Sequence, residues 1–198
     1  MRNSALASAL LVTVMAAPAM ANQDVIKNTA DPKQWTLQTG DYSNQRYSKL
    51  DQITRDNVKT LKVAWTFSTG VLRGHEGSPL VVGSVMFVHT PFPNNVFALD
   101  LDNEAKIIWK YEPKQDPSVI PVMCCDTVNR GVAYAEGKIF LHQADTTVVA
   151  LDAKTGKEVW KAVNGDPKKG QTNTATVLPV KERSSLVSRA PSSAFRVM

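Results

Sequence analysis

The sequence predicts an all-β chain assembled from a repeated four-stranded unit, and two observations carry that expectation. Short runs rich in β-branched and aromatic residues alternate with Gly, Asn and Asp turns, the pattern of antiparallel strands joined by tight hairpins. The same landmarks then recur at one period: His89 to His142 is 53 residues, Asp100 to Asp152 is 52 and Trp109 to Trp160 is 51.

The first element is not part of the fold. Arg2, an apolar run from Ala5 to Met15 and the Ala19-Met20-Ala21 site together read as a secretory signal peptide over residues 1–21. The run is too short for a permanent membrane span. Cleavage would leave Asn22 as the first mature residue and deliver the chain to the periplasm.

The first full copy starts at Gly77 with Ser78-Pro79-Leu80-Val81-Val82-Gly83-Ser84-Val85-Met86-Phe87-Val88-His89. It continues through Val96-Phe97-Ala98-Leu99-Asp100 to Ile107-Ile108-Trp109-Lys110. The second runs Gly131 to His142, then Val148-Val149-Ala150-Leu151-Asp152, then Glu158-Val159-Trp160-Lys161. Gly83-Ser84 and Glu136-Gly137 are the expected hairpin tips. An earlier partial copy ends in Val63-Ala64-Trp65, 44 residues before Trp109.

A unit of about 50 residues with four short strands cannot bury both faces alone, so copies must stack, as in the blades of a β-propeller. Propellers close with about 4–8 blades. Residues 22–180 hold an N-terminal segment and two to three blades, so the expected architecture is a partial propeller. Residues 181–198 lose the strand period and are expected to be an aberrant tail, a frameshifted reading of the next blade. Reading the codons one base earlier permits a buried strand followed by Ser-Gly-Ala-Glu.

The net charge of +5 sits mostly at the ends. Arg2 carries one positive charge, and the tail sets Lys181, Arg183, Arg189 and Arg196 against Glu182. The body is close to neutral and has no electrostatic footprint for nucleic acid. The two cysteines, Cys124 and Cys125, are adjacent. In an oxidising compartment they can pair, although Cα atoms about 3.8 Å apart lie below the usual disulfide range of about 4.4–6.8 Å, so the ring would be strained. Two buried, reduced thiols are the alternative.

Four stretches carry a family resemblance. Ala150 to Trp160, Ala-Leu-Asp-Ala-Lys-Thr-Gly-Lys-Glu-Val-Trp, resembles the tryptophan docking motif of quinoprotein propellers, which assigns Trp160 to packing. The stretches Trp65 to Pro79 and Pro121 to Gly131, the latter containing Val-Met-Cys-Cys-Asp-Thr-Val-Asn-Arg, resemble the large subunit of methanol dehydrogenases that use pyrroloquinoline quinone (PQQ). With Gln171 to Val177, the wording is similar to the lanthanide-dependent branch. The likeness covers Trp35 to Val180.

That resemblance implies an eight-bladed ring, a PQQ cofactor and a lanthanide or calcium ion. It implies that Cys124 and Cys125 form a disulfide lying flat against the quinone ring. It also implies that Arg130 and Thr174 contact quinone carboxylates and that Glu76 hydrogen-bonds the quinone edge. A guanidinium suits a carboxylate because it binds in a bidentate fork. His75 is expected to be structural. Methanol or another small alcohol would be the substrate, a c-type cytochrome the electron acceptor, and the full-length form a homo-oligomer. The resemblance places the metal ligands and the catalytic base outside this chain, which is therefore expected to be inactive alone. A non-catalytic propeller scaffold of the outer-membrane assembly lipoprotein type is the alternative; it would place a lipidated cysteine where Asn22 stands.

Overall fold

The computed structural model describes residues 22–180, together with the backbone of strands at 183–186 and 195–196. The expected signal peptide and most of the expected tail lie outside the described residues. Two four-stranded antiparallel sheets dominate. The first is ordered β1 (Leu80–Val82), β2 (Val85–His89), β3 (Val96–Asp100) and β4 (Lys106–Tyr111). The second is ordered β5 (Ala133–Ala135), β6 (Lys138–His142), β7 (Thr147–Asp152) and β8 (Glu158–Val163). Each is a simple meander, as the hairpin spacing requires.

Both predicted hairpin tips are in place, with Val82 opposite Val85 and Ala135 opposite Lys138. Glu136 and Gly137 take φ values of +49° and +69°, the pair of positive angles that matches strand twist in a two-residue hairpin. The registers repeat as well. Val85 faces Asp100 as Lys138 faces Asp152, and each third strand shifts register once, at Ala98/Leu99 and at Ala150/Leu151.

Alternation along the strands gives each sheet two apolar faces. One face of the first sheet, with Leu80, Phe87, Val96, Ala98 and Trp109, packs on Val132, Ile139, Leu141, Val149 and Leu151 of the second. The opposite face of the first sheet, with Phe97 and Leu99, is covered by Trp65 and Phe67. The partial copy around Trp65 therefore contributes packing without forming a strand. Residues 41–64 leading into it are exposed.

The N-terminal segment fastens both hairpin tips. Gly83 N–H donates to Gln34 Oε1 at 2.6 Å, and Glu136 N–H donates to Asp24 Oδ2 at 2.6 Å from helix α1 (Gln23–Thr29). Trp35 extends the first sheet by bridging to Val81. A third sheet begins at β9 (Leu178–Val180), which pairs antiparallel with β10 (Arg183–Leu186), itself paired with β11 (Phe195–Arg196). The architecture is a partial propeller of stacked blades.

Candidate cofactor site

The site is built in the long connection between β4 and β5, because short hairpin loops leave no room for one. After Tyr111 the chain makes a 3-10 turn at Pro117–Val122, started by the Asp116 carboxylate accepting from Ser118 N–H at 2.9 Å. It then reaches Cys124 and Cys125, which are bonded to each other. Cys125 and Asp126 both sit in the left-handed region, at φ +64° and +62°. A non-glycine residue held there costs of order 1–3 kcal/mol and tends to mark a functional turn.

Two ion pairs tie this loop to the segment before β1. Arg73 Nη1 lies 3.1 Å from Asp126 Oδ1, and Arg130 Nη2 lies 3.1 Å from Glu76 Oε2. All four side chains are 43–55% exposed, so each pair alone contributes little to stability. Their effect is geometric: both tie the loop down, and the pair with Glu76 holds the Arg130 guanidinium itself. Its Nη1 also donates to Thr174 Oγ1 at 2.7 Å, and its backbone N–H donates to Thr174 O at 3.0 Å. Three residues singled out from sequence, Glu76, Arg130 and Thr174, thus converge on one guanidinium.

Glu76 and Arg130 also line a cleft of about 580 Å³ with Gln38, Ser78 and Thr176. Cys124 and Cys125 do not line it; they lie further along the loop that ends in Arg130. A half-exposed guanidinium beside a hydroxyl at the edge of such a cleft fits a carboxylate-bearing ligand, since its remaining N–H groups are donors that no acceptor among the described residues satisfies. Among the described residues no three His, Cys, Asp or Glu side chains cluster as metal ligands would. His75 bonds locally, its ring 3.1 Å from Thr69 Oγ1 and 2.8 Å from Arg73 O.

Several contributors escape sequence reading. Gln38 clamps both sheets, accepting from Ser78 N–H at 2.9 Å and donating to Val132 O at 3.0 Å. Gly131, at φ +151°, runs so close that a Cβ there would overlap the Gln38 amide. His89 and His142 end the second strand of each sheet and are both buried. Burial lowers the pKa of His89, and pushes that of His142 down to about 4 against a partly offsetting backbone hydrogen bond at Thr146. The His89 ring sits 3.0 Å from Asn129 O, so its Nε2 carries the proton and donates. The 53-residue spacing singled out this pair; its burial needed the stacked sheets.

The chain resembles known proteins in sequence and in fold. The chain is 74% identical over 168 residues to a lanthanide-dependent methanol dehydrogenase of Methylorubrum extorquens, covering 85% of this chain and 28% of that protein. It is 48% identical over 178 residues to methanol dehydrogenase [cytochrome c] subunit 1 of Paracoccus denitrificans, covering 87% and 28%. Among solved structures it superposes on a europium-containing methanol dehydrogenase with TM-score 0.81 and 51% identity, over 83% of this chain and 29% of that one. It also superposes on the quinohemoprotein alcohol dehydrogenase of Comamonas testosteroni with TM-score 0.77 and 35% identity, over 85% and 25%. The chain spans under a third of the length of these relatives. Residues 35–191 match the family described as PQQ glucose/ethanol/alcohol dehydrogenase, beta-propeller domain, and the chain belongs to that family.

Proposed function

We propose that residues 35–180 supply the carboxylate-binding side of a PQQ site in a periplasmic, lanthanide-dependent methanol dehydrogenase. That enzyme would oxidise a small alcohol to its aldehyde and pass the electrons to a c-type cytochrome. The observation that carries this reading is the convergence of Glu76 and Thr174 on Arg130, five residues beyond a bonded Cys124–Cys125 pair, in a chain of this family.

When bound, the quinone supplies the hydride acceptor. Arg130 binds one of its carboxylates through the N–H groups that Glu76 and Thr174 leave free. Thr174 adds a hydroxyl to the same anion, and Glu76 holds the guanidinium plane against rotation. The bonded cysteines, which present sulfur and no strong hydrogen-bonding group, would shield the quinone from water where they meet it. The metal ligands and the base that removes the alcohol proton would come from parts of such an enzyme other than residues 35–180.

The test requires a complete ring. Residues 35–180 of this chain replace the matching stretch of the Methylorubrum extorquens relative, and PQQ content and methanol oxidation are measured with lanthanide supplied. The chimera is expected to hold about one quinone per chain, by the one-site logic of a preformed pocket, and to bind it measurably more weakly on Arg130→Ala. A folded chimera without quinone, or an Arg130→Ala form that retains it fully, would overturn the reading.

A further inference from the structure

We propose that Asn129 and Asn173 are a matched pair of positioning residues that aim Arg130 and Thr174 at the bound quinone. The proposal rests on reading those two residues as carboxylate contacts. The observation behind it is a repeated local device that composition and period do not reveal.

Both asparagines are buried, with 1% and 3% of their surface exposed. A buried amide must find both a donor and an acceptor partner or carry a desolvation penalty. Asn129 Oδ1 accepts from Gly131 N–H at 3.0 Å, and Asn173 Oδ1 accepts from Ala175 N–H at 3.2 Å. In each case the amide reaches over the next residue to the one after it, an Asx turn. The residues spanned are Arg130 and Thr174. With the asparagine fixed inward, the spanned side chain is directed outward, and Arg130 is indeed exposed between buried Thr127–Asn129 and buried Gly131–Ala133.

The two turns share an anchor. Asn129 Nδ2 donates to His142 O at 2.9 Å, and Asn173 Nδ2 reaches the same carbonyl at 3.4 Å while donating to Ala175 O at 2.9 Å. His142 closes strand β6 in the middle of the second sheet, so the anchor is rigid. Arg130 N–H to Thr174 O then joins the turns to each other. The backbone of the first turn is also pinned from the other side by His89, over a close approach where a Cβ on Gly77 would overlap the ring. An asparagine that only satisfied the core would need none of this correspondence between two loops 44 residues apart.

The test is a double-mutant cycle in the chimera described above, with PQQ affinity of the apo form and apo-protein thermal melting as separate readouts. Asn129→Ala is expected to weaken quinone binding about tenfold or more, as removal of outer partners typically does. In an Arg130→Ala background the same change is expected to weaken it by less than about twofold further, because a positioning residue acts only through what it positions. Equal losses in both backgrounds, or no loss with Arg130 present, would overturn the proposal. If Asn129→Ala does not fold, Asn129→Ser adds no charge, keeps a short acceptor for Gly131 N–H and gives up the reach to His142 O; the same non-additivity is then required of it. A parent chimera that binds no quinone would sink the functional reading instead, which the parent arm reports on its own.

Discussion

The two four-stranded sheets share registers, bulge position and a buried histidine at the end of the second strand, yet their tryptophans are treated differently. Trp109 on β4 is 8% exposed; its Nε1 donates to Ala153 O at 3.0 Å and its ring lies on Gly156. Trp160, its counterpart on β8, is half-buried against Phe140 of its own sheet, 6.0 Å between ring centroids, and the described residues bring it no turn like 152–156. The docking motif therefore encodes one half of an interface from each of two blades: a Trp on the last strand, and a carbonyl with a glycine on the next blade's turn. A single copy read in isolation specifies neither partner.

The comparison is most sharply broken by deleting the two rings in turn. Trp109→Ala removes a buried indole and its hydrogen bond, and is expected to destabilise the chain by about 3–5 kcal/mol. Trp160→Ala should cost less than that, since its ring is less completely buried. Equal shifts in denaturant midpoint for the two variants would mean that Trp109 is not the better-docked ring.

Acid should act on what the sheets share. His142 has a folded pKa of about 4, lowered by burial from an ordinary value near 6.5. Below pH 6.5 the unfolded chain takes up a proton that the folded chain refuses until about pH 4. The stability present above pH 6.5 is thus lost as pH falls through that window, by on the order of 3 kcal/mol at its lower end. His89 shifts in the same direction from the same cause. Unfolding midpoints measured from pH 7 to 4 should fall for the parent chain and fall less steeply for His142→Leu; parallel curves would refute the assignment.

The repeat, the hairpin tips and the stacking were legible in the sequence because each leaves a local mark: a period of about 50, Gly at a tight turn, Trp before Lys on the last strand. Glu76, Arg130 and Thr174 were legible only through the family wording of residues 65–79, 121–131 and 171–177, and their meeting on one guanidinium is a finding of the structure. Gln38 and the two asparagines were not legible. Gln38 bonds across 40 and 94 residues, so no window of sequence contains both ends. Asn129 and Asn173 look like ordinary polar loop residues until the His142 carbonyl between them is located.

The smallest expected effect tests whether the turns are equivalent. In the second sheet Gly156 N–H donates to Asp152 O at 2.8 Å with φ +68°; in the first, one residue longer, Ala105 N–H donates to Asp100 O at 2.9 Å with φ +60°. An alanine thus occupies the left-handed position that a glycine holds in the next blade. Gly156→Ala would force that conformation on a Cβ placed 2.6 Å from the Trp109 ring, and should cost about 2–3 kcal/mol. Ala105→Gly is a balance. Relief of the left-handed strain contributes about 1 kcal/mol. Against it stand the buried methyl, which packs in the cluster with Phe97 and Leu99 and is worth about 0.8 kcal/mol, and the added backbone freedom of the unfolded glycine, worth about 0.5–1 kcal/mol. The terms nearly cancel, so Ala105→Gly should move the unfolding midpoint by less than about 1 kcal/mol in free energy. A gain well above that would show that the Ala105 methyl packs poorly; a loss matching that of Gly156→Ala would show that Trp65 presses on Ala105 as Trp109 presses on Gly156, making the partial copy a docked blade edge in full.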